Sequence, residues 1–148
     1  GTEERAFPFL SSAEMSYIAS LAEYFRNAGA KVVLTEPCLK SLRGTYTTRY
    51  IGFVSSEDGT YIYKLHELLD AYPDTEKALR LQYDKRFQEA VQLFYKNDFY
   101  LARNIFSSIV RACPQDGIAR WYLFAAERYN NESDGGDEDK NYNLFGLD

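Results

Sequence analysis

The hydrophobic period of this chain changes once, near Asp70-Ala71-Tyr72-Pro73-Asp74. Before that point Thr, Tyr, Ile and Val recur in short runs of period two; after it, apolar residues recur at about 3.6. A chain with one such switch is α+β with its strands and helices segregated along the sequence. We therefore expect a small mixed sheet with a hairpin and helices over residues 1–70. An all-α segment follows over 71–130, and an acidic flexible tail over 131–148.

In the first part, Ala6, Phe7, Pro8, Phe9 and Leu10 form a short apolar run that reads as an edge strand, because proline cannot donate to a ladder. Ser11 or Ser12, with Glu14, reads as a helix start, and Met15, Ile18, Leu21, Ala22 and Phe25 continue at helical spacing up to Gly29. Residues 31–35 are a compact β-type run. Glu36-Pro37 then opens a short helix, with Leu39 and Leu42 expected inward. Residues 46–54 and 60–65 read as a hairpin closed by Ser55-Ser56-Glu57-Asp58-Gly59, with Tyr61, Tyr63 and Leu65 on one face and Ile62 and Lys64 on the other.

Beyond the switch, Leu79, Phe87, Ala90, Val91 and Phe94 predict one helix, broken at Asn97-Asp98. Leu101, Ala102, Ile105, Phe106, Ile109 and Val110 predict a second, broken at Pro114-Gln115-Asp116, and Ile118, Ala119, Tyr122, Leu123 and Ala126 a third. Aromatic residues reach 16% of the chain, so its cores and contact surfaces are built on large rings.

Residues 132–148 hold Glu132, Asp134, Asp137, Glu138, Asp139 and Asp148 against Lys140, a net of −5 that equals the charge of the whole chain. The body is thus neutral, which gives no electrostatic reason to expect nucleic acid or an anionic membrane. Cys38 and Cys113 lack metal-site or disulfide-framework spacing and read as apolar fillers in a reducing, cytoplasmic setting. No apolar run approaches the about 18 residues of a membrane span, so we expect no membrane contact. Gly1 reads as a residue left by tag removal, and the chain as a piece of something longer. His66 has no second histidine nearby, the tail acids lack the alternation of a calcium loop, and there is no Gly-rich phosphate loop. Tyr50, Tyr61 and Tyr63 read as cross-strand packing. No metal or cofactor is expected.

Residues 83–116 resemble one tetratricopeptide repeat, with Ala90 and Ala102 as the small residues, Phe99 and Phe106 as the filling aromatics, and Pro114 closing the window. Arg86 stands where that pattern usually has a large apolar residue. The third helix reads as a cap. An uncovered outer face carrying Phe94, Tyr95, Trp121 and Phe124 is the expected partner-binding surface.

Three stretches of the first part resemble the end of a class III nucleotide cyclase domain, the adenylate/guanylate cyclase family. Residues 29–36, GAKVVLTE, resemble its G-x-x-I-L-I-S-E segment; residues 49–54, RYIGFV, its R-x-L-G-x-V strand; and residues 66–70, HELLD, its closing Y-E-V-L-D. Members of that family with a helical, repeat-like extension directly after the closing strand resemble residues 71–129 as well.

The resemblance implies that the family's transition-state Asn and Arg fall on Ser16 and Ser20, and the purine-reading position on Phe9. A serine hydroxyl cannot stand in for a permanently charged guanidinium at a phosphoryl transition state. The family's metal-binding aspartates belong to an earlier half that this chain lacks. The expectation is therefore a degenerate, non-catalytic segment that serves dimerisation or regulation by self-association or by pairing with another cyclase domain. The other reading is a repeat-type protein–protein adaptor.

Overall fold

The computed structural model describes residues 29–55, 60 and 62–132, with the isolated positions 23 and 27. The expected strand over 6–10, the helix begun at Ser11, the positions Phe9, Ser16 and Ser20, the hairpin turn, Tyr61 and the tail beyond Glu132 lie outside these residues.

Among the described residues the chain is α+β, with a three-stranded antiparallel sheet and five α-helices. Strand β1 (Val33–Thr35) runs straight into α1 (Glu36–Ser41), since the Thr35 hydroxyl accepts from the Cys38 amide at 3.4 Å and Pro37 sits in the first turn. Cys38 is the residue that α1 buries. Leu42, expected inward, is exposed because the chain has already left the helix in an extended conformation.

Strands β2 (Thr48–Ser55) and β3 (Ile62–Leu68) form the expected hairpin, and β3 is central, in the order β1-β3-β2. Both pairings are antiparallel, so the sheet is not mixed among the described residues. Along β3, Tyr63, Leu65 and Glu67 face inward while Ile62 and Lys64 are exposed. A bulge interrupts β2: Tyr50 pairs with His66 and Gly52 with Leu65, which leaves Ile51 over. Gly52 has φ +122°, a conformation that side chains with a Cβ rarely adopt.

After a 3₁₀ turn (Leu69–Ala71), the helices are α2 (Asp74–Gln82), α3 (Asp84–Tyr95), α4 (Phe99–Ala112) and α5 (Gly117–Glu132). The single helix expected through Leu79 and Phe87 is broken at Tyr83, which caps α2 and starts α3. The break at Asn97-Asp98 is as expected. Asn97 takes φ +68°, and the Asp98 side chain accepts from the Leu101 amide at 3.3 Å. Helix α5 runs through Asn130 to Glu132, beyond the expected start of the tail.

Ala90, Ala102, Ala119 and Ala126 are fully buried, so the helices approach closely and the rings interlock around them. Phe87 meets Phe106 and Tyr122 edge-on, and Phe106 stacks on Tyr122 with centroids 4.8 Å apart. Ile51, Tyr63 and Leu65 of the hairpin belong to the same hydrophobic cluster as these rings. The period switch near residue 72 therefore separates elements, not cores.

Candidate functional site

Arg49 begins as a cross-strand neighbour. Antiparallel register places it opposite Glu67, and both point to the face that the helices cover. Its Nε donates to Glu67 Oε1 at 3.1 Å and its Nη2 donates to the same oxygen. The fork then reaches Asp116, which sits immediately before α5: Nη1 donates to Oδ2 at 2.7 Å and Nη2 to Oδ1 at 3.0 Å. Asp116 Oδ1 also accepts the Ala119 amide at 3.1 Å, so the carboxylate that caps α5 is the one that holds the sheet. The guanidinium lies 4.1 Å from the centre of the Phe87 ring on α3. One side chain from β2 thus touches β3, α3 and the start of α5.

Further polar contacts extend from Glu67 to Tyr72 and on to Arg80. The Tyr72 hydroxyl donates to Glu67 Oε2 and accepts the Lys31 amide at 3.2 Å. Arg80 of α2 stacks 3.8 Å from the Tyr72 ring centre and donates to the carbonyls of Gln115 at 3.2 Å and Glu76 at 3.3 Å. Its Nε has no hydrogen-bond partner.

Arg49, Glu67, Arg80 and Asp116 are each at most 2% exposed. Charges so placed persist only when paired or hydrogen-bonded: Arg49 pairs with Glu67 and Asp116, while Arg80 is held by carbonyls and the Tyr72 ring. Burial opposes the Arg49 charge, but Asp116 and Glu67 outweigh it and hold the guanidinium protonated. Burial would raise the Asp116 carboxyl; the Arg49 charge, its hydrogen bonds and the Ala119 amide reverse this and hold it below its ordinary value. Burial, then the neighbouring Glu67 carboxylate, push the Tyr72 phenol up, so it stays a donor. Every carboxylate of this cluster is committed to a guanidinium or a hydroxyl. Its chemistry is that of a latch between sheet and helices, with no group free to move a proton to a substrate.

The bulge supplies the second contact between the layers. Tyr50 O accepts Gln88 Nε2 of α3 at 2.8 Å, and Ile51 O accepts the Tyr122 hydroxyl of α5. Phe53 exchanges two hydrogen bonds with the Tyr95 hydroxyl, each 3.3 Å, and stacks on its ring at 4.6 Å. Backbone groups at and beside the bulge are thereby hydrogen-bonded from the helices. Burial pushes both phenols well up, so they act only as neutral donors and acceptors.

The four residues expected on an outer surface do not form one. Phe94 is 1% exposed, within ring contact of Tyr95, Phe99, Trp121, Tyr122 and Tyr129, because α5 closes over the face it occupies. Tyr95 is held by β2, and Trp121 packs against the core. Phe124 alone stands out, 62% exposed. His66 lies mid-strand beside the Tyr50 ring, its Nε2 3.8 Å from the Glu36 carboxylate. Cys38 and Cys113 are buried free thiols, and burial pushes both up, away from reactivity. Among the described residues no group of three or more His, Cys, Asp or Glu is arranged to hold a metal ion, and no helix is long and apolar enough to cross a membrane.

The buried latch had not been expected from the sequence. The available signal was the alternation Tyr63-Leu65-Glu67, which puts a carboxylate on the apolar face, directly opposite Arg49 in any hairpin of this register. No family model matches the chain, and comparison with curated proteins and with solved structures found no match.

Proposed function

We propose that this chain is the non-catalytic C-terminal segment of a nucleotide-cyclase-like signalling protein, serving dimerisation or regulation of cyclic-nucleotide synthesis. The observation that carries the proposal is the Arg49 latch. It joins the strand resembling R-x-L-G-x-V to the helical extension as one body, so a force on the helices reaches the strands directly. Two of the residues on which the resemblance rests have definite physical tasks: Arg49 anchors α5, and Gly52 takes the left-handed conformation at the bulge. The missing catalytic character rests on Ser16 and Ser20 in the positions of the family's Asn and Arg.

The test has two arms. The purified chain with ATP or GTP and Mg or Mn yields no cyclic product, and light scattering at micromolar concentration reports a dimer or larger. Product above the protein-free blank that disappears in Ser20→Ala overturns the non-catalytic reading. A monomer at every concentration overturns dimerisation.

The second reading is a tetratricopeptide-type adaptor. Ala90 and Ala102 fully buried between α3, α4 and α5, with Phe124 exposed on α5, favour it. Its mark is a monomeric chain that binds an amphipathic helical peptide and loses that binding in Phe124→Ala.

A further inference from the structure

Helix α4 carries one polar stripe away from the core: Arg103, Asn104, Ser107 and Arg111. With Glu127 of α5 these line a groove of about 390 Å³. The stripe is held in place from within. Arg103 lies 5.1 Å from the Tyr100 ring centre and donates to Asn104 Oδ1 at 3.3 Å, while Arg111 donates to Ser107 Oγ at 3.4 Å. Among the described residues neither arginine forms an ion pair. The groove therefore holds two guanidiniums without a carboxylate partner among the described residues, a hydroxyl and an amide between them, and one carboxylate on the α5 side.

We infer that this groove docks an extended acidic peptide whose carboxylates stand four residues apart. Arg103 and Arg111 are eight positions apart, which on a helix is about 12 Å along the axis. Four residues of extended chain span about 13 Å, so each carboxylate reaches one guanidinium. Asn104 and Ser107 then meet the peptide backbone between them. Glu127 sets the selectivity: a nucleic-acid strand carries a charge on every nucleotide and brings one against this carboxylate, whereas a peptide with neutral residues between its acids does not. The inference is independent of the cyclase reading.

The experiment is fluorescence anisotropy at low salt with the full chain and a labelled Ser-Asp-Ser-Gly-Ser-Asp-Ser peptide. Saturable binding is expected, weakened about tenfold when Arg103→Gln and Arg111→Gln are combined, the sum of two exposed charge-assisted contacts. Glu127→Gln should strengthen it and also admit an oligothymidylate that the unaltered chain rejects. Because Asp134 and Glu138 have the same spacing, a second full-length variant carries Asp134→Asn, Asp137→Asn, Glu138→Gln and Asp139→Asn to remove internal competition. Absence of binding by both chains overturns the inference. So does undiminished binding by the double arginine variant with an unchanged melting curve, equal affinity for a peptide with adjacent aspartates, or tighter binding of the oligothymidylate by the unaltered chain.

Discussion

Replacing Arg49 by Met tests the latch most severely. Methionine keeps an apolar stem against Phe87, whose ring centre the guanidinium approaches to 4.1 Å, but it leaves Glu67 and Asp116 buried with no cation between them. Removing one partner of a buried ion pair costs about 3–5 kcal/mol, because the other partner is left uncompensated. Single domains are stable by about 5–15 kcal/mol, so Arg49→Met takes a large share of the total. It should lower Tm by more than about 10 °C. Urea unfolding followed by circular dichroism is the assay. Combining Arg49→Met with Glu67→Gln and Asp116→Asn should recover much of the loss, since amides are cheaper to bury than unpaired charges. In a cycle with Asp116→Asn the two changes should couple by about 0.5–3 kcal/mol.

The sign of the pH dependence follows from Asp116, whose carboxyl is held below its ordinary value of 3.8. Its contribution is present above that value and is lost as pH falls through the lower folded one. In Arg49→Met the abandoned Asp116 carboxyl loses the charge that lowers it and takes up a proton more readily, so the gap to the unaltered chain should narrow from pH 7 toward pH 4. A loss under about 1 kcal/mol, purely additive changes, or a gap that widens on acidification would refute the reasoning.

Tyr122→Phe leaves the buried Ile51 carbonyl without its donor and should cost about 1–3 kcal/mol by urea unfolding. Gly52→Ala forces a Cβ into φ +122° and should cost about 1–3 kcal/mol in the same assay, with Thr48→Ala, at the start of β2, as the mild control. Burial lowers the His66 imidazole below 6.5, the Glu36 carboxylate opposing this in part, so an NMR titration should give a midpoint under 6.5. The unfolded chain then takes up this proton first as pH falls through 6.5, so His66 costs stability on the acid side, and His66→Gln should flatten that part of the curve.

Elements marked by breakers and period were legible in the sequence. Asn97-Asp98 ends α3 because Asn tolerates a left-handed turn and Asp caps the next helix. The hairpin followed from alternation in β3. The break at Tyr83 was not legible, because Leu79 and Phe87 keep a helical spacing across it and no Gly or Pro marks the change of direction. Pattern reading sends charges outward, so it missed four buried ones; three of them, Arg49, Glu67 and Asp116, pair across 18 and 67 residues of sequence. The same habit placed Phe94 on an outer face: one helix's periodicity does not say how much of its circumference neighbours cover, and α5 covers this part. The aromatic excess was informative in kind, marking a ring-built core, but not in location.

Native-state hydrogen exchange, read residue by residue, tests most directly whether sheet and helices are one body. If the latch and the bulge contacts join them, amides of Leu65 and Glu67 in β3, Phe106 in α4 and Tyr122 in α5 exchange through one global opening with a common free energy and a common denaturant slope. Strand amides exchanging through a separate opening of lower free energy, while those of α4 and α5 stay protected, would contradict the account.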